Sequence, residues 1–448
     1  MQAWPPDFLD NMRLMLADDF PQFIEGLSSA APVSVRLNPF KAGGKFYNEK
    51  KVSWCDDGRY LERRPSFTLD PLFHAGCYYV QEASSMFLES VFKQYFSADR
   101  AVRAIDLCAA PGGKSTHLLS LLPEGSVLVS NEIIPNRNKV LRQNICKWGR
   151  PDVIVTQNEV KDFISLAGYF DLVVVDAPCS GEGLFRRDPV SANEWSTDVV
   201  RNCVIRQNGI LDDAFRLLKP GGILIYSTCT FETCENEEQI ERLISLHNAE
   251  LLDLNDRHKG IINSGQGLRF YPVYVDGEGF FISAVRKSDG REQELKKTKR
   301  QQSSWSQKEF LLNYLEHPEL FSPFEKNNIL FAIPAEMIDL FYFMEKRFYI
   351  RQTGIRLGEI KGEKPVPEHD IALSTSLRKG LPAVELSKQD AIRYLRCENV
   401  ECRGAEKGWN LAQYGSFPLG WIKVLDNRVN NYFPKEWRIR MDYNPNAK

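Results

Sequence analysis

At 448 residues, with 43% hydrophobic and 26% charged residues, the chain has the balance of an ordinary globular protein and more length than one core uses, so several domains are expected. Its 57 Lys and Arg stand against 59 Asp and Glu, a formal charge of −2. That balance excludes a protein that grips an anionic polymer with its whole surface; any basic patch must be local.

The start, Met1-Gln-Ala-Trp-Pro-Pro-Asp-Phe-Leu-Asp10, is acidic and lacks the apolar run of a secretory leader. No later run is apolar and long enough to span a bilayer. A cytoplasmic protein without membrane contact is expected, with its ten cysteines reduced. Cys397 and Cys402 form one wide pair with no second Cys or His pair beside it, too few ligands for structural zinc, so no metal is expected.

Residues 1–98 read as a first domain, helical near the start and again around Gln81 to Phe96. Residues 99–287 form the second. There Arg103–Leu107, Ser126–Ser130, Asp152–Thr156, Asp171–Asp176 and Gly222–Tyr226 are short Val/Ile/Leu-rich strands. Helical patterns over Lys114–Leu122, Pro135–Trp148, Glu159–Leu166, Thr197–Leu218 and Glu235–His247 separate or follow them. Strands apolar on both faces, joined by helical crossovers, predict a doubly wound, mostly parallel α/β sheet. Two more runs, Leu268–Val275 and Gly279–Val285, are joined only by Asp276-Gly277-Glu278, which predicts a closing antiparallel hairpin. Residues 288–307 are polar and read as a linker; Lys296, Lys297, Lys299 and Arg300 within it are candidate phosphate contacts, a solvated tether being the plainer reading. Residues 308–380 form an intermediate domain and residues 381–448 a last one.

In an open α/β sheet, ligands lie beyond the carboxyl ends of the strands. The first strand runs into Cys108-Ala109-Ala110-Pro111-Gly112-Gly113-Lys114-Ser115, a glycine turn that opens a helix and brings backbone N–H groups to a polar ligand. A phosphate-binding P-loop needs glycine where Cys108 stands. The second strand ends in Asn131-Glu132, a carboxylate placed for a ribose diol, with helix capping as the plainer alternative. Near the third strand's end, Asn158 offers an amide that can read adenine or simply form a turn.

The fourth strand ends in Asp176-Ala-Pro-Cys179-Ser-Gly181 and the fifth in Tyr226-Ser-Thr-Cys229-Thr230. A lone buried cysteine is usually packing. Two thiols and a carboxylate at neighbouring strand ends suit nucleophilic catalysis, by either thiol. Cytosine C5 is a poor nucleophile until a thiolate adds at C6, and a carboxyl facing N3 and N4 stabilises the charge that develops. A base must then remove the C5 proton.

These three segments, with Ser34-Val-Arg-Leu-Asn-Pro39, Tyr79-Val-Gln-Glu-Ala-Ser-Ser85 and Glu278-Gly-Phe-Phe281, resemble the NOL1/NOP2/SUN family of RNA cytosine-5 methyltransferases over residues 30 to 286. The resemblance implies a Rossmann-like methyltransferase domain and S-adenosyl-L-methionine as cofactor. It implies contacts from Cys108, Ala109, Ala110, Pro111, Gly112, Gly113, Lys114, Glu132, Arg137, Asn158 and Asp176. It also implies Cys229 as nucleophile and Cys179 as the thiol that assists release; DNA cytosine-5 methyltransferases use the Pro-Cys thiol instead. Asn158 stands where many relatives carry Asp, and Val273 where His is frequent. Gly415-Ser-Phe-Pro-Leu-Gly-Trp-Ile-Lys423 and Asn430-Asn-Tyr-Phe-Pro-Lys-Glu-Trp-Arg438 are similar to the tail of RsmF-type bacterial ribosomal RNA methyltransferases, which implies a β-rich, PUA-like RNA-binding domain. The expected partner is RNA: ribosomal RNA, within the small subunit or free, with transfer RNA as the alternative. No DNA partner is expected, and a monomer is favoured. A non-catalytic RNA-binding assembly factor is the reading from another class; intact thiols, Asp176 and the glycine turn argue against it. Arg36, Asn38, Arg186 and Arg187 are candidate RNA contacts.

Overall fold

The computed structural model describes residues 4–41, 44–255, 258–297, 305–361, 364–402 and 404–443. Its centre is a ten-stranded sheet. Five strands are parallel: β1 (Arg103–Asp106), β2 (Val127–Asn131), β3 (Val153–Thr156), β4 (Phe170–Asp176) and β5 (Leu218–Thr228). Nearly every residue in β1–β4 is buried, as apolar runs covered on both faces must be. Helices α1 (Gly113–Leu121), α2 (Pro135–Trp148), α3 (Thr197–Leu217) and α4 (Glu237–His247) cover the faces.

Beyond β5 the sheet continues antiparallel through β6 (Ile262–Asn263), β7 (Leu268–Phe270) and β8 (Phe280–Arg286), in the order β6-β7-β8-β5-β4-β1-β2-β3. Glu250–Leu251 also pairs with β8. The expected hairpin is present, but β7 stops at Phe270 rather than Val275. Pro272 has no N–H for the ladder, and the chain turns there, with Tyr274 N–H on Tyr271 O at 3.0 Å. Glu159–Leu166, expected as an α-helix, is instead a 3₁₀ run over Val160–Leu166, opened by a capping box of Glu159 and Asp162.

The other end of the sheet was not foreseen. β9 (Ile350–Thr353), from beyond the expected linker, pairs antiparallel with β3. An all-buried edge strand left open would invite pairing with another chain, and β9 covers it. The expected linker also lies partly on the domain. Gln293 donates its N–H to Gly168 O at 2.9 Å and its side-chain amide to Ser165 O at 3.0 Å, while Glu292 Oε1 takes Arg103 Nη2 at 2.6 Å. Lys299 and Arg300 lie outside the described residues.

The N-terminal region splits its loyalties. Helices Pro6–Leu16 and Phe20–Ser28 bury Phe8 and Phe23 against Phe185, Phe231 and Tyr271 of the sheet domain. Val273 packs against that cluster. The three-stranded sheet of Gly58–Leu61, Val33–Leu37 and Tyr78–Val80 shares its core with Tyr394, Leu419 and Ile422 from the last 70 residues or so. That C-terminal part is β-rich: strands Gly408–Tyr414, Phe417–Val424 and Val429–Asn431 run antiparallel, with Ala383–Glu385 parallel at the edge. Cys397 and Cys402 sit against this core.

Arg36 and Asn38 are not on an RNA-facing surface. Arg36 is 1% exposed. Its guanidinium bonds Gln81 Oε1 at 2.8 Å and Thr116 Oγ1 at 2.6 Å and reaches Gly113 O at 3.3 Å. Asn38 Nδ2 donates to Gly76 O at 2.8 Å and Trp148 O at 3.0 Å. Both fasten the first domain to the helices that follow the glycine turn. Arg36 lies on the strand Val33–Leu37 and Asn38 just after it, and both are buried from solvent. Among the described residues, no helix is long and apolar enough to cross a membrane.

Candidate active site

β4 and β5 run side by side with Asp176 opposite Ser227, so both thiols leave the sheet at one place. Cys179 Sγ and Cys229 Sγ are 3.3 Å apart. The hydrogen bond with Cys229, then burial, pushes the Cys179 thiol far above its ordinary range. Asp176 Oδ1 is 2.7 Å from Lys114 Nζ and accepts from Ser227 Oγ at 2.9 Å. Lys114 in turn lies over the Phe280 ring, 5.1 Å from its centre.

Each thiol-bearing turn sends a buried carboxyl to brace the other. Glu235, after Cys229, accepts the Ser180 N–H at 3.0 Å and Gln207 Nε2 at 2.8 Å. Glu182, after Cys179, accepts Thr230 Oγ1 at 3.0 Å and Phe231 N–H at 2.9 Å. Gly183 N–H adds a bond to Cys229 O at 2.8 Å. Burial pushes the carboxyls of Glu182 and Glu235 upward, Glu182 most strongly.

From the thiols a cleft of about 880 Å³ runs past Asp176 and Cys108 to Glu132, Arg137 and Asn158. Gly112 has φ +113°, a left-handed conformation in which any side chain is strained, and α1 starts at the next residue. Ala109 N–H bonds Asn131 O at 2.9 Å, and Arg137 Nη2 reaches Ala110 O at 2.8 Å. Pro111 O takes the Asn144 amide at 2.8 Å. Glu132 Oε1 accepts Ile134 N–H at 2.8 Å, and Oε2 stands 3.6 Å from Arg137. Asn158 Oδ1 accepts the Tyr349 N–H at 3.0 Å, so its carbonyl is already engaged by the segment leading into β9. A polar backbone turn, a strand-end carboxylate and a cleft of that size match a nucleoside-bearing ligand.

Of the sequence-expected site residues, Cys108, Ala110, Glu132, Arg137, Asn158, Asp176, Cys179 and Cys229 line this cleft, Lys114 reaches it through Asp176, and Ala109, Pro111, Gly112 and Gly113 do not line it. Glu182, Glu235 and Gln207 were missed. Their spacing carries no motif, and only the packing reveals a buried glutamate. Likewise Cys55, Glu89 and His117, far apart in sequence, bring donor atoms within 4.8 Å of one another. His117 Nε2 is 3.0 Å from Glu89 Oε2, and Lys93 Nζ holds the other oxygen at 2.6 Å. Arg186 is not a free contact either: it grips Gly277 O at 2.5 Å and Ser29 Oγ at 2.8 Å.

Three family models match along the chain: the N-terminal domain of 16S rRNA methyltransferase RsmF over 4–83, 16S rRNA methyltransferase RsmB/F over 97–286, and the methyltransferase RsmF PUA domain over 381–439. The ribosomal RNA small subunit methyltransferase F of Shewanella woodyi is 30% identical over 470 aligned positions, which cover 96% of each chain. The chain belongs to the ribosomal RNA small subunit methyltransferase F family. The ten-stranded sheet is thus a Rossmann-like methyltransferase core, and the C-terminal β-rich part a PUA domain. A methyltransferase homologue from Pyrococcus horikoshii superposes with TM-score 0.52 and 28% identity, over 63% of this chain and 99% of that one. NSun6 from Pyrococcus horikoshii, solved with SFG, shares the fold at TM-score 0.55 and 18% identity, over 64% of this chain and all of its own. Each superposition leaves more than a third of this chain unmatched.

Proposed function

We propose that this methyltransferase modifies C5 of a cytosine in RNA, most directly small-subunit ribosomal RNA, through a covalent bond between Cys229 and C6. The observation that carries the reading is the meeting of two thiols and Asp176 at adjacent strand ends, 3.3 Å separating the sulfurs. Methylation of an exocyclic amine or a ribose hydroxyl needs no thiol; C5 of cytosine needs one.

Cys179, held as a thiol by its hydrogen bond with Cys229 and by burial, stands 3.3 Å from the Cys229 sulfur. The Cys229 thiolate adds to C6. Asp176, set between Lys114 and Ser227, faces the N3 and N4 edge and stabilises the charge gathered there. S-adenosyl-L-methionine, bound along the cleft, supplies the methyl group. Glu132 would hold its ribose, the turn from Cys108 to Lys114 its polar end, and Asn158 its adenine. Loss of the C5 proton then lets the C6–S bond break, and Cys179 assists that release. The target base must leave its stack to reach Cys229. The PUA domain supplies a second RNA-binding surface.

The test is transfer of labelled methyl groups to naked ribosomal RNA, assembled small subunits and transfer RNA, with the product base mapped. Label on C5 of a cytosine in the ribosomal substrates is expected. Label confined to transfer RNA would move the substrate, and no labelled cytosine in any of them would overturn the reading.

A further inference from the structure

A second cavity, of about 740 Å³, lies between the N-terminal strands and the turn that follows Cys179. Arg64 and Arg187, both exposed, stand at its edge, and Glu278 lines it. The Glu278 side chain is only 7% exposed, and Arg187 Nη1 is 3.6 Å from it, beyond hydrogen-bonding distance. Its neighbour Glu82 is engaged on both oxygens: one takes Ser84 N–H at 2.8 Å and Glu278 N–H at 2.9 Å, the other Ser85 N–H at 2.8 Å. Among the described residues no donor reaches the Glu278 carboxyl at hydrogen-bonding distance. Burial, with Glu82 close by, pushes that carboxyl up to about 7, and hydrogen-bond donors brought by a ligand would favour its ionised form. A nearly buried carboxyl short of donors, at the wall of an open cavity, is a group built for a ligand that brings donors.

The wall of the cavity is tied to the thiol-bearing turns through the backbone. Gly183 belongs to the same turn as Arg187 and donates its N–H to Cys229 O. A Cβ on Gly183 would fall 2.4 Å from Gly279 O, so two glycines let the segment carrying Glu278, just before β8, lie directly against the thiol-bearing turn. Arg186 fixes the wall through Gly277 O and Ser29 Oγ.

We propose that this cavity holds a guanine of the substrate RNA next to the target base, its N1–H and N2–H on the Glu278 carboxylate and the adjoining phosphates on Arg64 and Arg187. The assignment rests on the RNA reading above. An ionised carboxylate only accepts, and guanine is the one common base with two adjacent donors on its pairing edge. Adenine and cytosine set a donor beside an acceptor, and uracil sets its donor between acceptors. Two parallel N–H bonds to a carboxylate are the strong, geometry-specific kind. The arginines read no sequence; they place the strand.

Short RNAs carrying one fixed cytosine with randomised neighbours, selected by binding to the full chain and sequenced, test this. Guanine is expected to be enriched on the order of tenfold at one neighbouring position. Glu278→Gln, which offers one acceptor and one donor, is expected to lose that preference and move it toward adenine. Arg187→Ala is expected to weaken all flanks alike and keep the guanine preference. Should Glu278→Gln fail to fold, inosine in place of the preferred guanine, which removes the N2 amino group, is expected to cost the unaltered protein a similar factor. No preference at any position, or a preference unchanged by Glu278→Gln or by inosine, overturns the assignment. The selection reads binding, so it answers separately from methyl transfer.

Discussion

The Cys179 and Cys229 sulfurs are 3.3 Å apart although 50 residues separate them in the chain. At that distance the two share a proton rather than a bond, and each is open to the same cleft. If Cys229 attacks and Cys179 serves release, the two single variants differ in kind. Cys229→Ala is expected to abolish methyl transfer with no RNA retained on the protein. Cys179→Ala is expected to accumulate a covalent complex that migrates slowly on a denaturing gel. The opposite pattern would exchange the roles.

The mutual bracing by Glu182 and Glu235 sets that sulfur separation. Ser180 N–H and Gln207 Nε2 both bond Glu235 Oε2, and Oε1 is 3.3 Å from the same Ser180 N, so the amide NH2 of Glu235→Gln sets a donor against one of these donors. The Cys179 turn is then free to shift. A displacement of that kind costs kcat about tenfold to a hundredfold with KM for the cofactor unchanged, since near-attack geometry is what suffers. A merely structural loss would not alter the thiols specifically. Peroxide-driven closure of the Cys179–Cys229 disulfide, followed by the mass gained on alkylation, is therefore the second measurement, and slower closure in Glu235→Gln is expected.

Arg36 joins the first domain to the cofactor turn. Its bonds to Gln81, Thr116 and Gly113 O hold the start of α1 from beneath. Burial lowers its guanidinium to about 10, still charged at neutral pH. Arg36→Met keeps much of the volume and removes the donors. A loss of about 3 kcal/mol in unfolding free energy is expected, the scale of a buried charged hydrogen bond and its orphaned acceptors. A higher KM for S-adenosyl-L-methionine should accompany it. Unchanged denaturant midpoint would show that Arg36 is dispensable to the joint.

What could be read ahead of the structure follows from how local each signal is. The parallel core was legible because β1–β5 are near-continuous apolar runs separated by helical patterns, and both features are periodic in sequence. Cys108–Lys114, Asp176–Cys179 and Cys229 were legible because each follows a strand end directly. β9 was not, since a four-residue strand pairing with β3 across nearly 200 residues of chain leaves no periodic trace. Arg36 was misread for a related reason. A charged residue in an alternating strand looks solvent-facing unless a second domain covers that face. Glu182, Glu235 and Glu278 look like ordinary surface glutamates until the packing of two turns buries them.

Asp106 makes a prediction about pH. It is fully buried at the end of β1, where its carboxylate accepts Ser115 Oγ at 2.7 Å. Burial, above all, pushes its carboxyl from an ordinary 3.8 up to about 7. Between those values the folded chain keeps a proton that the unfolded chain has lost. Folding stability from this group is therefore greatest below about pH 4 and falls as pH rises toward 7. Asp106→Asn keeps a carbonyl for Ser115 and cannot ionise. The variant's melting temperature relative to the native chain should therefore rise from pH 5 to about pH 7 and level off above it. Other buried carboxyls, Glu278 among them, titrate in the same window, so the slope of the native chain alone decides nothing; the difference between the two proteins isolates Asp106. A difference that stays constant across that range would mean Asp106 ionises as it does in water.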